Sequence, residues 1–464
     1  MKTILVVGGG ITGLSAVYEL QKWKREKQSD TRLILVEAGE KLGGKIKTIR
    51  NNGYVMETGA DSIVARKGLN MSVIKELGLE NEIVYNATGR SFLYGDGTLK
   101  AIPADTIFGI PTSVESLAKT SLVSPEGKVD ALKDLYLRNE TFTKNDSIGD
   151  FLEYFLGKEM VEKQIGPVLS GVYSGDIKEL TISSTLPYLI DYKEQYGSII
   201  RGFEANKEKF QSGSGKKFFS FKNGMDSIID AYESHLQEVE ILKNQRITNI
   251  TKNNERYCAH LVNGEMLEVD SIILSIPHAS AQALFSDEKI KEDFSKLKNS
   301  SLISIYLGFD VPDSVLPADG TGFITINTDE LSCNACTWTS RKWLHTSESG
   351  NLLVRLFYKS SHPTFQTLKQ MDVTDQLTIA LNDIQKSLGI TAKPVTYEIT
   401  DWVENMPNYE IVHPKVVGTL ESDFKENYPG VLLAGCSYYG VGIPDCIENG
   451  QEIAKQLIGS LSDS

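Results

Sequence analysis

Three glycines at positions 8, 10 and 13 constrain this chain more than any other feature. They follow Thr3-Ile4-Leu5-Val6-Val7, a continuous apolar run of the kind that forms a parallel strand buried on both faces. After them Leu14, Val17 and Leu20 line one side of a helical pattern, with the charges of Lys22 to Lys27 beyond. Leu33-Ile34-Leu35-Val36 is a second buried-strand run and ends at Glu37, 24 residues after Gly13. This is a complete strand, glycine turn, helix, strand and acid. Gly8 permits the tight turn, Gly10 lets the backbone approach a pyrophosphate, and Gly13 lets helix and strand pack closely. Gly9, Ile11 and Thr12 complete a turn whose free N–H groups at the helix start suit an anion. Glu37, followed by Ala38, is placed to accept hydrogen bonds from an adenosine ribose. Gly213-x-Gly215 lacks a third glycine and a preceding strand, so one dinucleotide is expected.

An anion must be held here by such a local device, because the chain carries 48 Lys+Arg against 61 Asp+Glu, a net charge of −13. That balance argues against nucleic acid or anionic lipid as bulk partners. The length of 464 residues suggests two or three domains. Five cysteines are too few for a secreted disulfide framework, and Cys333-x-x-Cys336 has no second pair or nearby histidine, so packing is its reading and no metal is expected. The N-terminus lacks a signal-peptide pattern and no stretch reaches about 18 consecutive apolar residues. A reduced, cytoplasmic protein is expected, with room for contact at a membrane surface.

Two further segments extend the dinucleotide theme. Leu42-Gly43-Gly44-Lys45 places a cation after paired glycines, and Glu57-Thr58-Gly59-Ala60-Asp61-Ser62 offers another close backbone approach. Near the other end, Gly430-Val431-Leu432-Leu433-Ala434-Gly435 reads as a buried strand, and Gly440-Val441-Gly442-Ile443-Pro444-Asp445 opens a last helix with Ile447, Ala454, Leu457 and Ile458 on one side. Such a helix start favours a nearby anionic flavin edge by about 0.3–1 kcal/mol.

On these residues the sequence resembles the FAD-dependent amine oxidase and protoporphyrinogen oxidase superfamily. Within it, the match resembles the bacterial protoporphyrinogen/coproporphyrinogen III oxidases. The finer likeness is carried by Arg66-Lys67, Pro167 to Asp176, Gly320-Thr321-Gly322-Phe323, Ala335-Cys336-Thr337-Trp338, Trp402 with Met406-Pro407 and Tyr409, and Gly440 to Cys446. The resemblance implies FAD, with its pyrophosphate at Gly8–Gly13 and its ribose at Glu37. It puts Gly44, Lys45, Gly59, Ala60, Asp61 and Ser62 on the flavin side, the backbone of Ile247 at the adenine end, and Trp402 with Val441-Gly442-Ile443 around the isoalloxazine.

The expected fold is α/β (α+β): a Rossmann-like FAD-binding domain, a substrate domain on a mixed or antiparallel sheet, and a helical subdomain. The FAD domain is assigned to 1–70, 215–288 and 396–464, and the substrate domain to 71–105, 196–214 and 289–395. Runs such as Leu302–Leu307 and Leu352–Phe357 supply the alternation of an antiparallel sheet. Residues 106–195 read as helices. Val129, Leu132 and Tyr136 form one stripe; Asp146 or Ser147 caps the next helix, in which Ile148, Phe151, Leu152, Phe155 and Leu156 repeat with helical spacing. Ser212-Gly213-Ser214-Gly215-Lys216-Lys217 reads as a surface connection.

The resemblance implies oxidation of coproporphyrinogen III to coproporphyrin III in three two-electron steps, with O2 as acceptor and hydrogen peroxide released. Protoporphyrinogen IX is the alternative substrate; a flavin amine oxidase or carotenoid-type desaturase is a more distant one, and a non-catalytic nucleotide-binding module the reading outside enzymes. Partners expected are the porphyrinogen, O2 and, transiently, the next haem-pathway enzyme. No general base is assigned, and the catalytic step is left to the flavin. Arg66, Lys67 and Arg341 are the cations expected to bind substrate carboxylates, with Lys342 beside them. Lys67→Ala is expected to raise KM for a tetracarboxylate more than for a dicarboxylate in steady-state assays; equal effects would remove that role.

Overall fold

A computed structural model describes residues 2–68, 71–87, 89–173, 176–210, 216–326 and 329–462. Five strands build a parallel sheet in the order Val239–Leu242, Arg32–Val36, Thr3–Val7, Ser271–Leu274, Val431–Leu433. Val6 pairs with Leu35 on one side and Ile273 on the other. Side chains from Ile4 to Val6 are fully buried, as the unbroken apolar run predicts for a strand covered on both faces. The helix Ile11–Lys27 packs on one face beside the last helix, Ile443–Ser462. The other face carries an antiparallel meander, Ile247–Asn253, Arg256–Leu261 and Met266–Val269, and the helix His413–Asn427. The Arg246–Thr251 run therefore enters the meander, whereas the run from Ser271 enters the parallel sheet.

A second, seven-stranded sheet runs Pro394–Asn408, Lys298–Pro312, Asn351–Lys359, Ala335–Trp338, Gly320–Thr325, Arg90–Gly95, Thr98–Ala101. It is antiparallel except where Gly320–Thr325 meets Arg90–Gly95. Alternation decides its faces: Ile303, Ile305 and Leu307 are fully buried in one core, and Ser304 and Tyr306 point the other way. The expected boundary at 396 falls inside the 15-residue strand Pro394–Asn408, so Trp402 rides on the second sheet.

Helices run from Val114 to Phe210 around their own core, with Phe203 and Phe210 in ring contact, so helical structure continues beyond 195. Ser147 caps the helix Ile148–Leu156, accepting from Asp150 N at 3.2 Å, and Ile148, Phe151, Leu152, Phe155 and Leu156 are all fully buried. The stripe of Val129, Leu132 and Tyr136 is corrected: the helix stops at Ala131 and tightens into a 3₁₀ turn, leaving Val129 and Tyr136 exposed while Ala131 is buried. Of the expected surface connection, residues 212–215 lie outside the described residues, as do Ser174 and Gly175 of the 167–176 segment.

The two ends of the chain meet where the first and last helices cross. Ser15 Oγ donates to Ile447 O at 2.8 Å, and a Cβ on Gly450 would run into Thr12 O. Gly450→Ala is expected to force the helices apart, costing about 1–3 kcal/mol as overpacking does, and to loosen cofactor retention; thermal unfolding and flavin content after gel filtration check it.

Candidate cofactor and active site

The glycine turn leaves the parallel sheet at Val7. Gly8 sits at φ +102°, which favours glycine, and its N–H donates to Val36 O at 2.8 Å. A Cβ on Gly13 would strike Gly8 O, so close packing of helix on turn requires glycine there too. Gly10 differs, because a Cβ there would meet nothing within 4 Å. Open space thus lies over the start of the helix, where no side chain caps the backbone and no acid occupies the first turn. Uncapped N–H groups at the positive end of a 17-residue helix fit a diphosphate.

Glu37 is held at the end of its strand by two amides: Oε2 accepts from Gly9 N at 2.8 Å and Oε1 from Gly39 N at 2.7 Å. Its backbone pairs with Leu242 O and Gln245 N, which brings the start of the Ile247 strand alongside, with Ile247 buried. Gly43 N donates to Gly9 O at 2.8 Å, and Gly44, at φ +58°, lies over Gly10. Lys45 Nζ reaches Cys436 Sγ at 3.5 Å, across the whole length of the sequence. A hydrogen bond from Cys446 and the charge of Lys45 hold the Cys436 thiol below its ordinary range.

The segment 57–62 runs beside Lys45. Ala60 N donates to Lys45 O at 3.0 Å, and a Cβ on Gly59 would collide with that same carbonyl. Arg355, which sequence reasoning missed, fixes this segment from below. It donates to Gly59 O at 3.1 Å and to Thr58 O at 2.9 Å while its guanidinium lies over the rings of Tyr306 and Phe357. Trp402 Nε1 donates to the same Thr58 O at 3.0 Å. Asp61 meets Lys342 Nζ at 3.2 Å and accepts from Ser62 Oγ. Burial pushes Asp61 up, but Lys342 and Arg355 outweigh it and hold the carboxyl at about 2.

At the turn before the last helix, Val441 is exposed and Ile443 buried. Tyr409, whose motif was noted without a role, braces this turn: its hydroxyl accepts from Gly440 N at 2.7 Å and donates to Cys436 O at 2.6 Å, with its ring stacked on His413. Asn449 Oδ1 accepts from Gly435 N. Arg66 and Lys67 are exposed on the short helix Ala65–Gly68, and Lys67 Nζ pairs with Asp445 at 2.6 Å, tying that helix to the last one. Arg341 is turned elsewhere: its guanidinium is spent on Asp313, Ala318 O and Pro317 O. Successive residues of the helix Thr339–Lys342 point about 100° apart, so Lys342 faces Asp61 and Arg341 does not.

Glu57 makes no ion pair with a cation among the described residues. Its buried carboxylate accepts from Met225 N at 2.9 Å and Thr48 Oγ1 at 2.8 Å, yet burial lifts it to about 8. Between its ordinary value near 4.5 and about 8 the folded chain keeps a proton that the unfolded chain releases. Its contribution is fully present below that window and lost as pH rises through it, by up to about 1.4 kcal/mol per pH unit. Glu57→Gln is expected to flatten this part of the pH–stability curve, read from urea unfolding of the apoprotein at pH 5, 6.5 and 8.

The chain is similar to known proteins along its length. The description "Flavin containing amine oxidoreductase" matches residues 11–458. The chain is 32% identical to a coproporphyrinogen III oxidase of Bacillus subtilis (strain 168), over 98% of each chain. It is 31% identical to a Staphylococcus aureus protein of the same name, over 99% of this chain and 100% of that one. A crystal structure from Exiguobacterium sp. 255-15, carrying a provisional protoporphyrinogen oxidase name, superposes with a TM-score of 0.88 at 30% identity, over 98% of both chains. Reduced UDP-galactopyranose mutase, at 14% identity and a TM-score of 0.74 over 99% of this chain and 96% of that one, shares the fold. The chain belongs to the family of flavin-containing amine oxidoreductases.

Proposed function

We propose that this chain binds FAD and oxidises coproporphyrinogen III to coproporphyrin III, in three two-electron steps that pass electrons to O2 and release hydrogen peroxide. The observation that carries this reading is the end-to-end likeness, at 31–32% identity, to two proteins named coproporphyrinogen III oxidase. When bound, FAD would supply the electron chemistry, taking a hydride from a bridge carbon of the porphyrinogen while a pyrrole N–H proton is lost to solvent.

The chain's own residues bind and orient. Amides at the Gly8–Gly13 turn hold the diphosphate, Glu37 the ribose, and the backbone at Ile247 the adenine end. Lys45 lies between the glycine turn and Cys436, within reach of the cofactor's phosphates or the flavin side. Gly59, Ala60, Asp61 and Ser62 line one side of the flavin, with Trp402 and Val441-Gly442-Ile443 around it. Arg355 and Trp402 fix that lining through the carbonyls of Thr58 and Gly59, and so would orient a substrate laid against it. Such placement is worth about 7–11 kcal/mol of barrier. Arg66, Lys67 and Lys342 supply positive charge for the substrate's carboxylates in an otherwise acidic protein.

Among the described residues no helix is long and apolar enough to cross a membrane. A water-soluble tetracarboxylate suits that observation, and we place the enzyme in the cytoplasm, with transient contact to the next haem-pathway enzyme. Protoporphyrinogen IX is the second reading, favoured by the name of the Exiguobacterium structure. Anaerobic mixing of the yellow protein with each porphyrinogen decides. Coproporphyrinogen III is expected to bleach the flavin absorbance at least about tenfold faster, with peroxide formed once air is admitted. The reverse ranking would reassign the substrate, and no bleaching by either would end the proposal.

A further inference from the structure

Arg355, Phe357 and Lys359 alternate along the strand Asn351–Lys359 and so share one face of the seven-stranded sheet. Register sets Tyr306, Ser304 and Leu302 opposite them on the neighbouring strand, and Trp402 opposite Leu302 on the next. Since Arg355 and Trp402 both bond the carbonyls of residues 58–59, this is the face turned toward the 57–62 segment. Lys359 marks its other end. Its Nζ donates to Ser170 O at 2.8 Å and to Gly171 O at 3.4 Å, in the last turn of the helix Gly166–Tyr173. Gly171 itself lies against Ile324 of the same sheet. The face is thus bounded by the flavin-side segment at one end and by the helical region at the other, with Leu302 and Phe357 half-buried between. Lys359 lies four residue steps along the strand from Arg355, a span of about 13 Å at about 3.3 Å per residue.

We infer that Lys359 is the distal carboxylate-binding residue of the substrate site, taking a carboxylate of a porphyrinogen whose near edge lies against segment 57–62. The inference rests on the porphyrinogen reading above and goes beyond it by naming a specificity-determining residue. Two carbonyls engage two of the three donors that an ammonium carries. Burial alone pulls Lys359 down to about 8, with no carboxylate among the described residues contributing. A desolvated cation in that position is stabilised by an anion that arrives with the ligand. The helix end explains where the ammonium sits, because cations favour the last carbonyls. It does not call for a half-buried, carboxylate-free cation on the face that carries Trp402 and Arg355. The position also selects: a ring with a carboxylate on every pyrrole presents one to the distal end in every orientation, whereas one with carboxylates on a single edge does so only in some.

The test uses the FAD-loaded wild type, Lys359→Arg and Lys359→Met, with coproporphyrin III and its tetramethyl ester as probes. Affinity is read from quenching of protein fluorescence, beside KM and kcat for coproporphyrinogen III. Lys359→Met is expected to weaken coproporphyrin III binding by about tenfold or more, with the kinetic loss falling mainly on KM. Lys359→Arg, which keeps the charge, should stay within about threefold of wild type, and the ester should bind the methionine variant as it binds wild type. Unchanged coproporphyrin affinity in Lys359→Met, or an ester weakened as much as the acid, would reduce Lys359 to a helix cap and overturn the inference. Should Lys359→Met not fold, equal affinity of the wild type for acid and ester would overturn it as well. Failure of the porphyrinogen reading shows separately, as a wild type that no porphyrinogen bleaches.

Discussion

A chain with a net charge of −13 that must hold a diphosphate depends on bare backbone rather than on a basic patch. Amide N–H groups at a helix start supply positive potential without side chains, but only if nothing fills the space above them. That is why Gly10 is open where the glycines around it are crowded, and why the first turn holds no acid. The same helix must then be held firmly by something else. The last helix does this, through Ser15 to Ile447 and through the close approach at Gly450, and it brings with it the 440–443 turn. Binding the phosphates and closing the two ends of the chain are therefore one structural requirement.

What lies around that centre is set by charge pairing over very short distances. Glu57 and Asp61 are four residues apart and titrate in opposite directions, to about 8 and about 2. Burial pushes both up. Asp61 has Lys342 and Arg355 beside it to reverse the effect, whereas the hydrogen bonds to Glu57 come from the neutral donors Thr48 and Met225. One segment thus combines a carboxyl kept neutral at the inner end with a carboxylate kept charged beside Lys342. The neutral end fastens the segment to Thr48 and Met225, and the charged end fastens it to the second sheet. The segment is thereby tied at both ends, to Thr48 and Met225 on one side and to Lys342, Arg355 and Trp402 on the other.

The parts legible in the sequence were those in which a local pattern has one physical outcome. Thr3–Val7 and the glycine turn that follows it read directly, because a buried parallel strand and a close strand-to-helix turn each demand particular residues in order. The faces of Leu302–Leu307 read from alternation. Arg355 did not, because a lysine or arginine within an apolar strand carries no local sign of the carbonyls it will meet, here almost three hundred positions earlier in the chain. Arg341 and Lys342 are adjacent and chemically alike, and only the direction of one helical turn separates a structural cation from one facing Asp61. The stripe through Val129 and Tyr136 failed for a related reason: its spacing holds only while the helix continues, and the helix ends at Ala131.

Arg355 and Lys359 also show why cations on a strand can divide labour without interfering. Side chains two apart share a face, so Phe357 stands between them. Its ring stacks on the Arg355 guanidinium at 4.7 Å, which shields that charge and commits it to the carbonyls of Thr58 and Gly59. An arginine suits that task, since its planar fork spans two carbonyls and stays charged when buried. At the far end a compact ammonium suits a ligand that comes and goes, because it can trade partners without losing a fixed fork geometry. Exchanging the two residue types would place a titratable group under residues 58 and 59 and a rigid fork against the end of the helix Gly166–Tyr173. The order along the strand, a fixed fork at one end and a compact ammonium at the other, follows from the carbonyls that each end meets.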